Sequence, residues 1–286
     1  MNQMNSGAKH LLINDVSIRI EPTEGWVPVD LRELWQYHNL LFYLVWREIR
    51  VYYSNTAIGI FWIVLSPLAT AIVLSVILGL FIKVPTGGLP YPPVVLSGLI
   101  LWLYFSKAVS TGCTSMMANS YLLTKVYFPR IIVPLVSILS GLIELLVLLV
   151  VVLIVAILYG VVPGLSWLLI PVPLILLIGL ATGSSLWLSA LNVQYRDIGN
   201  LLPVLLQVGL YLAPTIYLSS LIPKEWRLLY DINPMVGVID TMRWALFLGN
   251  EFPARPFIIS IITVILLIVT GAFFFRLIDD TAADIV

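Results

Sequence analysis

The chain has 286 residues, of which 60% are hydrophobic and 10% charged, with 15 basic residues against 15 acidic ones. A soluble globular chain is roughly 45–50% apolar and about 25% charged, so this one carries too little charge to wet a particle of its size, and its solvent is lipid. A net charge of zero argues against a nucleic-acid-binding face, and the single cysteine, Cys113, makes neither an internal disulfide nor a zinc site by itself.

Residues 1–29 are polar and mixed, do not read as a signal peptide, and form an expected cytoplasmic tail with room for one strand. Asp30 followed by Glu33 is a capping-box signature, and it opens a predicted helix over 30–53. One side of that helix collects Leu31, Leu34, Trp35, Phe42, Val45, Ile49 and Tyr52. The other holds Arg32, Gln36, Asn39, Arg47 and Arg50. Such a helix lies along the inner membrane interface with its arginines toward headgroups, or packs as an amphipathic helix on a soluble neighbour. His10 and His38 have no second histidine or cysteine at metal-ligand spacing, so no metal site is expected.

From Ser54 to Ile82 there is no charge. A helix needs about 20 apolar residues to cross the hydrocarbon core, so the first span is expected at about 57–82. Turn formers in 83–91 separate it from a second span over 93–118, and the more polar 119–130 leads to a third over 131–159. A break containing Pro163 precedes the fourth span, 167–190. The fifth is expected at 200–218 and the sixth at 257–275. Segment 219–255 is too long for a tight turn and too apolar to float freely. Pro223, then Asn233 with Pro234, mark two helix starts, and Gly249 a stop. The segment is expected to be a pair of short re-entrant helices on the outer side, with an ordinary extracellular loop as the alternative. Residues 277–286 are then a C-terminal tail. The fold class is therefore an all-α polytopic membrane protein with six transmembrane helices over 54–276 and an amphipathic interfacial helix before them.

Lys and Arg favour the cytoplasmic side. With the N-terminus inside, Lys9, Arg19, Arg32, Arg47, Arg50, Lys125, Arg130, Arg196 and Arg276 are internal, against Lys83, Lys224, Arg227, Arg243 and Arg255 outside. Both termini are accordingly cytoplasmic. Lys107 and Glu144 are the only ionisable residues deep within predicted spans, and each is costly there unless paired or wetted. Their matching depths predict an intramembrane ion pair across antiparallel helices, with a substrate contact or proton relay as the alternative. No phosphate loop, nucleophile elbow or paired-histidine zinc motif is present, so catalytic residues are not expected.

The runs WREIRVYYSNTAIGIFWIVLSPL (46–68), LLTKVYFPRIIVPL (122–135), YRDIGNLLPVLLQ (195–207) and NPM (233–235) resemble the permease subunit of bacterial ABC exporters for polysaccharides and polyol phosphates, the O-antigen, capsule and teichoic-acid transporters. Tyr53 stands where many relatives carry a second basic residue. The resemblance implies a homodimer of this chain with two cytoplasmic ATP-binding subunits that hold ATP and Mg, so this chain binds no cofactor itself. It implies a coupling helix for that ATPase formed by Asn119, Ser120, Tyr121, Leu122, Leu123, Thr124, Lys125, Val126 and Tyr127. The 30–53 helix becomes a gate for a lipid-linked glycan, with Arg47 and Arg50 as contacts for lipid phosphate or headgroups. Arg196 and Asp197 become an inner-end pair. The implied place is the bacterial cytoplasmic membrane, among its lipids. Phe61, Trp62, Tyr104, Tyr211 and Tyr217 are candidate channel-lining aromatics, since a moving polymer needs many weak contacts. Competing readings are an exporter of drugs or small lipids, a polytopic enzyme such as a glycan acyltransferase, and a secondary transporter. The last two call for clustered catalytic groups, or for inverted repeats and more intramembrane carboxylates, than the sequence offers.

Overall fold

The computed structural model describes residues 31–54, 61–247 and 251–282, and over these it holds helices and turns but no strand. The 1–29 tail, Asp30 and Gly249 lie outside the described residues. Helices are the expected form, because a chain in hydrocarbon must satisfy its backbone polar groups within each segment.

The predicted 30–53 helix is two helices, α1 (Leu31–Gln36) and α2 (His38–Ser54). At the joint the His38 ring donates from Nδ1 to the Trp35 carbonyl (2.7 Å) and stacks on the Trp35 indole. The joint shifts the phase of the apolar stripe. Leu34, Tyr37, Leu41, Leu44 and Val45 pack on the protein, whereas Trp35 and Phe42, expected on the inner side, are exposed.

Five stretches among the described residues are long and apolar enough to cross a membrane. The first is α3 (Phe61–Leu74), continued by a π-helical turn, Ser75–Phe81, in which Ile82 N bonds Ile77 O five residues back at 2.9 Å. The second is α4 (Tyr91–Ala118), followed by the short α5 (Ser120–Lys125). The third is α6 (Ile132–Ser140) with α7 (Leu142–Leu158), joined at Gly141. α7 ends in a Schellman motif: Gly160 has φ 84, its N–H bonds Ile157 O, and Val161 N bonds Ala156 O. The fourth is a 3-10 turn, Leu165–Leu169, leading into α8 (Pro171–Gln194).

The expected fifth span is a shorter helix, α9 (Asp197–Leu212), of 16 residues, or about 24 Å at 1.5 Å per residue. It stops because Pro214 drives Ala213 into extended backbone, with φ −94 and ψ 154. Segment 219–255 holds a 3-10 turn, Ser219–Leu221, then α10 (Lys224–Asp231) and α11 (Pro234–Phe247). Asn233 caps α11, its Oδ1 accepting the Met235 N–H at 3.1 Å ahead of which Pro234 fills the first position. The last stretch, α12 (Ala254–Ala282), continues the helix into residues read as a tail.

α4, α8, α11 and α12 form the centre. Between lipid-bathed helices there is little hydrophobic drive, so small residues that admit close backbone approach carry the packing. A Cβ at Gly183 of α8 would stand 2.8 Å from the Ile268 backbone nitrogen of α12, and one at Gly237 of α11 2.2 Å from the Pro256 carbonyl. Hydrogen bonds pin the same contacts: Trp187 Nε1 to Thr270 Oγ1 (2.9 Å) and Ser260 Oγ to Pro234 O (2.7 Å). A second, smaller cluster around Leu44, Phe128, Ile132 and Phe275 fastens α2 to one end of the bundle.

Candidate functional site

α2 meets the chain where α4 passes into α5. The Arg47 guanidinium reaches Asn119 Oδ1 (3.5 Å) at the junction of α4 and α5, while Asn119 Nδ2 donates back to Ser115 O (3.0 Å). Arg50 lies over the Trp46 ring, 5.9 Å from its centroid. Both arginines are exposed. Glu48, on the same helix, has its carboxyl raised above the usual range by burial, against the pull of the Arg47 and Lys107 cations.

The expected coupling segment 119–127 is helical only over Ser120–Lys125, and Val126 is extended. Leu122 and Leu123 pack on the second, smaller cluster and Phe128 is buried in it. This seats the helix so that Tyr121 (78% exposed), Thr124, Lys125, Val126 and Tyr127 face outward. Lys125 stands over the Tyr121 ring at 5.8 Å. The neighbouring α8–α9 junction presents Tyr195, Arg196 and Asp197, also exposed. It is tied to α4 by Asn192, which donates to Cys113 O (3.2 Å) and accepts from Gly199 N (2.9 Å). Sequence reasoning missed Asn192, although an amide at the apolar end of α8 is a legible signal.

Within the membrane region Lys107 Nζ of α4 donates directly to Glu144 Oε2 of α7. The side chains remain 34% and 23% exposed, so the pair is not sealed in the core.

A cavity of about 370 Å³ opens between α3, α4 and α9. α3 contributes Ser66 and Thr70, α4 contributes Leu99, Trp102, Leu103, Ser106 and Ser110, and α9 contributes Pro203, Leu206, Gln207 and Leu210. The five aromatics singled out from sequence are not in this lining. Phe61, Trp62 and Tyr211 are exposed on α3 and α9. Tyr104 is buried in the core and donates to Ile138 O at 3.2 Å, because its ring fills the space left by Gly141. Tyr217 donates to Tyr211 O (3.0 Å) and accepts from Tyr230 (3.1 Å). The missed signal was the recurrence of polar residues four apart in otherwise apolar helices, Ser66 with Thr70 and Ser106 with Ser110, which places each pair on one helix face.

At the other end of the bundle, Arg243 is not the loop charge expected from sequence. It is buried in α11 and donates to Val94 O (3.1 Å), Thr215 O (3.1 Å) and Tyr217 O (2.8 Å), binding α11 to α4 and to the chain leaving α9. One turn earlier on α11, Asp240 accepts from Ser219 Oγ (2.8 Å).

Compared with known proteins, residues 39–247 match the ABC-2 type transporter family model. The O-antigen export system permease protein RfbA of Myxococcus xanthus is 30% identical over 251 residues, covering 85% of this chain and 94% of that protein. A protein of the same name from Klebsiella pneumoniae is 26% identical over 248 residues, 86% of this chain and 95% of that protein. The polysialic acid transport protein KpsM of Escherichia coli is 26% identical over 210 residues, 71% of this chain and 79% of that protein.

Proposed function

The chain belongs to the ABC-2 type transporter family, and we propose from that premise that it is the transmembrane permease subunit of an ATP-driven exporter of a lipid-linked or lipid-anchored polysaccharide. The polymer is of the O-antigen, capsule or teichoic-acid type, and the membrane is the bacterial cytoplasmic membrane. The observation that carries this reading is similarity to O-antigen export permeases over nearly their whole length.

Six spans complete the transmembrane domain in this reading, with α9 as the short fifth and 213–218 reaching the outer surface. α1 and α2 lie on the inner interface as the gate, their exposed Trp35, Phe42, Tyr43 and Trp46 at headgroup level. α10 and α11 form the re-entrant pair, and both termini are cytoplasmic. The exposed side of α5 docks on a separate ATP-binding subunit, which supplies ATP and Mg. Two copies of the chain and two ATPases make the transporter. The cavity between α3 and α9 lies beside exposed apolar residues of both helices, among them Ile72, Val73, Val204 and Val208, where a second copy closes the path. Arg47 joins the gate to α5, so motion imposed on α5 reaches the entrance for the lipid phosphate.

The test is a set of changes on the exposed side of α5. Tyr121→Ala with Tyr127→Ala is expected to cut ATPase-driven export at least tenfold while the protein still inserts and folds. Unchanged coupling of hydrolysis to export would overturn the docking assignment.

A further inference from the structure

We infer that the cavity between α3, α4 and α9 is a subsite for uncharged sugar units, with Trp102 as its floor and Gln207 as its specificity-determining residue; this rests on the polysaccharide-export reading. The lining combines two chemistries that a pyranose ring needs together. Its aliphatic side chains, Leu103, Leu206 and Leu210, suit the C–H faces of a sugar ring, with the edge of the largely buried Trp102 behind them. The hydroxyls of Ser66, Ser106 and Ser110 and the carboxamide of Gln207 both donate and accept, as sugar hydroxyls do. At about 370 Å³ the space falls in the range of small-ligand sites, roughly 300–1,000 Å³.

Thr70 spends its proton on the helix, donating to Ser66 O at 3.0 Å, as hydroxyls in apolar helices often do. Gln207 is different, because its longer carboxamide offers two donors and an acceptor at the exposed surface of α9. Trp102 is fixed from behind: its Cη2 lies 2.6 Å from where a Cβ at Gly209 would stand, so only glycine in α9 leaves room for the ring. The charge nearest along α4, Lys107, is neutralised by Glu144 and is not offered to a passing acid. Among the described residues the lining therefore rewards dipoles and gives a carboxylate-bearing or phosphate-bearing unit no counter-ion, and a desolvated anion without one is disfavoured.

The experiment uses the full transporter, this chain with its ATP-binding subunit, in cells that make a neutral O-antigen and, separately, in cells that make polysialic acid. Surface polymer is measured as an initial rate. The wild type is expected to export the neutral polymer and to move polysialic acid at least tenfold more slowly. Gln207→Ala and Gln207→Leu are each expected to slow neutral export about five- to tenfold, the scale of one or two lost hydrogen bonds. Gly209→Ala, which displaces Trp102, is expected to slow it similarly, with ATPase-subunit binding and self-association unchanged in all three. Neutral export at the wild-type rate in Gln207→Ala and Gly209→Ala overturns the subsite. Equal wild-type rates for the two polymers overturn its selectivity. Faster export in Gln207→Leu identifies an acyl chain as the occupant and likewise overturns it. A wild type that exports neither polymer with its ATPase present instead removes the exporter reading itself.

Discussion

α4 and α3 are neighbours in the chain and in space, yet 67% of the most apolar part of α4 is buried against 17% for that of the stretch Phe61–Phe81, which α3 opens. α4 is nevertheless the least apolar of the five long stretches. In water that order would be perverse. In lipid it is the expected one, because apolar side chains lose nothing by facing acyl chains, whereas Ser97, Ser115 and the carbonyl partners of Arg243 need protein around them. Burial here follows polarity and small size, and hydropathy marks the helices that face out.

The sharpest way to break this contrast is at Arg243. Arg243→Met leaves the carbonyls of Val94, Thr215 and Tyr217 without their shared donor. It should cost about 3 kcal/mol or more, read as a large fall in the unfolding temperature in detergent. Gly183→Ala forces a methyl against the α12 backbone and should cost about 2 kcal/mol. Ile72→Ala, on the exposed side of α3, should change protomer stability by less than about 0.5 kcal/mol. Similar losses at Arg243 and Ile72 would erase the distinction between the two helices.

Between these extremes lies the half-open Lys107–Glu144 pair. In a double-mutant cycle, Lys107→Ala and Glu144→Ala should couple by about 1 kcal/mol or more, since the two side chains are in direct contact. Additive effects would show that the contact carries no energy of its own.

The smallest effect belongs to Glu48 on α2. Burial raises its carboxyl above the ordinary range, so the folded protein holds that proton more tightly than the unfolded chain does. Its contribution to stability is therefore greatest at low pH and is lost as pH rises through the raised value. Glu48→Gln should be slightly more stable than the wild type at neutral pH, and the gain should fade on acidification toward the ordinary carboxylate range. A gain independent of pH would exclude titration of Glu48 as its source.

The positions of the long helices were legible because gaps between charges report on hydrocarbon directly. The meeting of Lys107 with Glu144 was legible from depth alone, since two lone charges in apolar helices have few other partners. Arg243 was misread for the converse reason. Near other loop charges it looked solvated, although a cation one turn after Asp240 within the apolar α11 carries the signature of a buried anchor. The break at Tyr37 was hidden because it depends on a ring nitrogen of His38 finding the Trp35 carbonyl, a local choice that periodicity does not register. Trp102 and Gln207 were passed over because their importance comes from α4 and α9 approaching through Gly209, a pairing set by tertiary packing. Aromatic type alone pointed instead to Tyr104, which the core absorbs.

Export by a permease powered from outside its own chain is tested most directly in sealed, inverted vesicles containing this chain, its ATP-binding subunit and a lipid-linked polymer. ATP should drive polymer into the vesicle lumen, and omission of the ATPase subunit should abolish it. Accumulation without that subunit, or ATP hydrolysis by this chain alone, would contradict it.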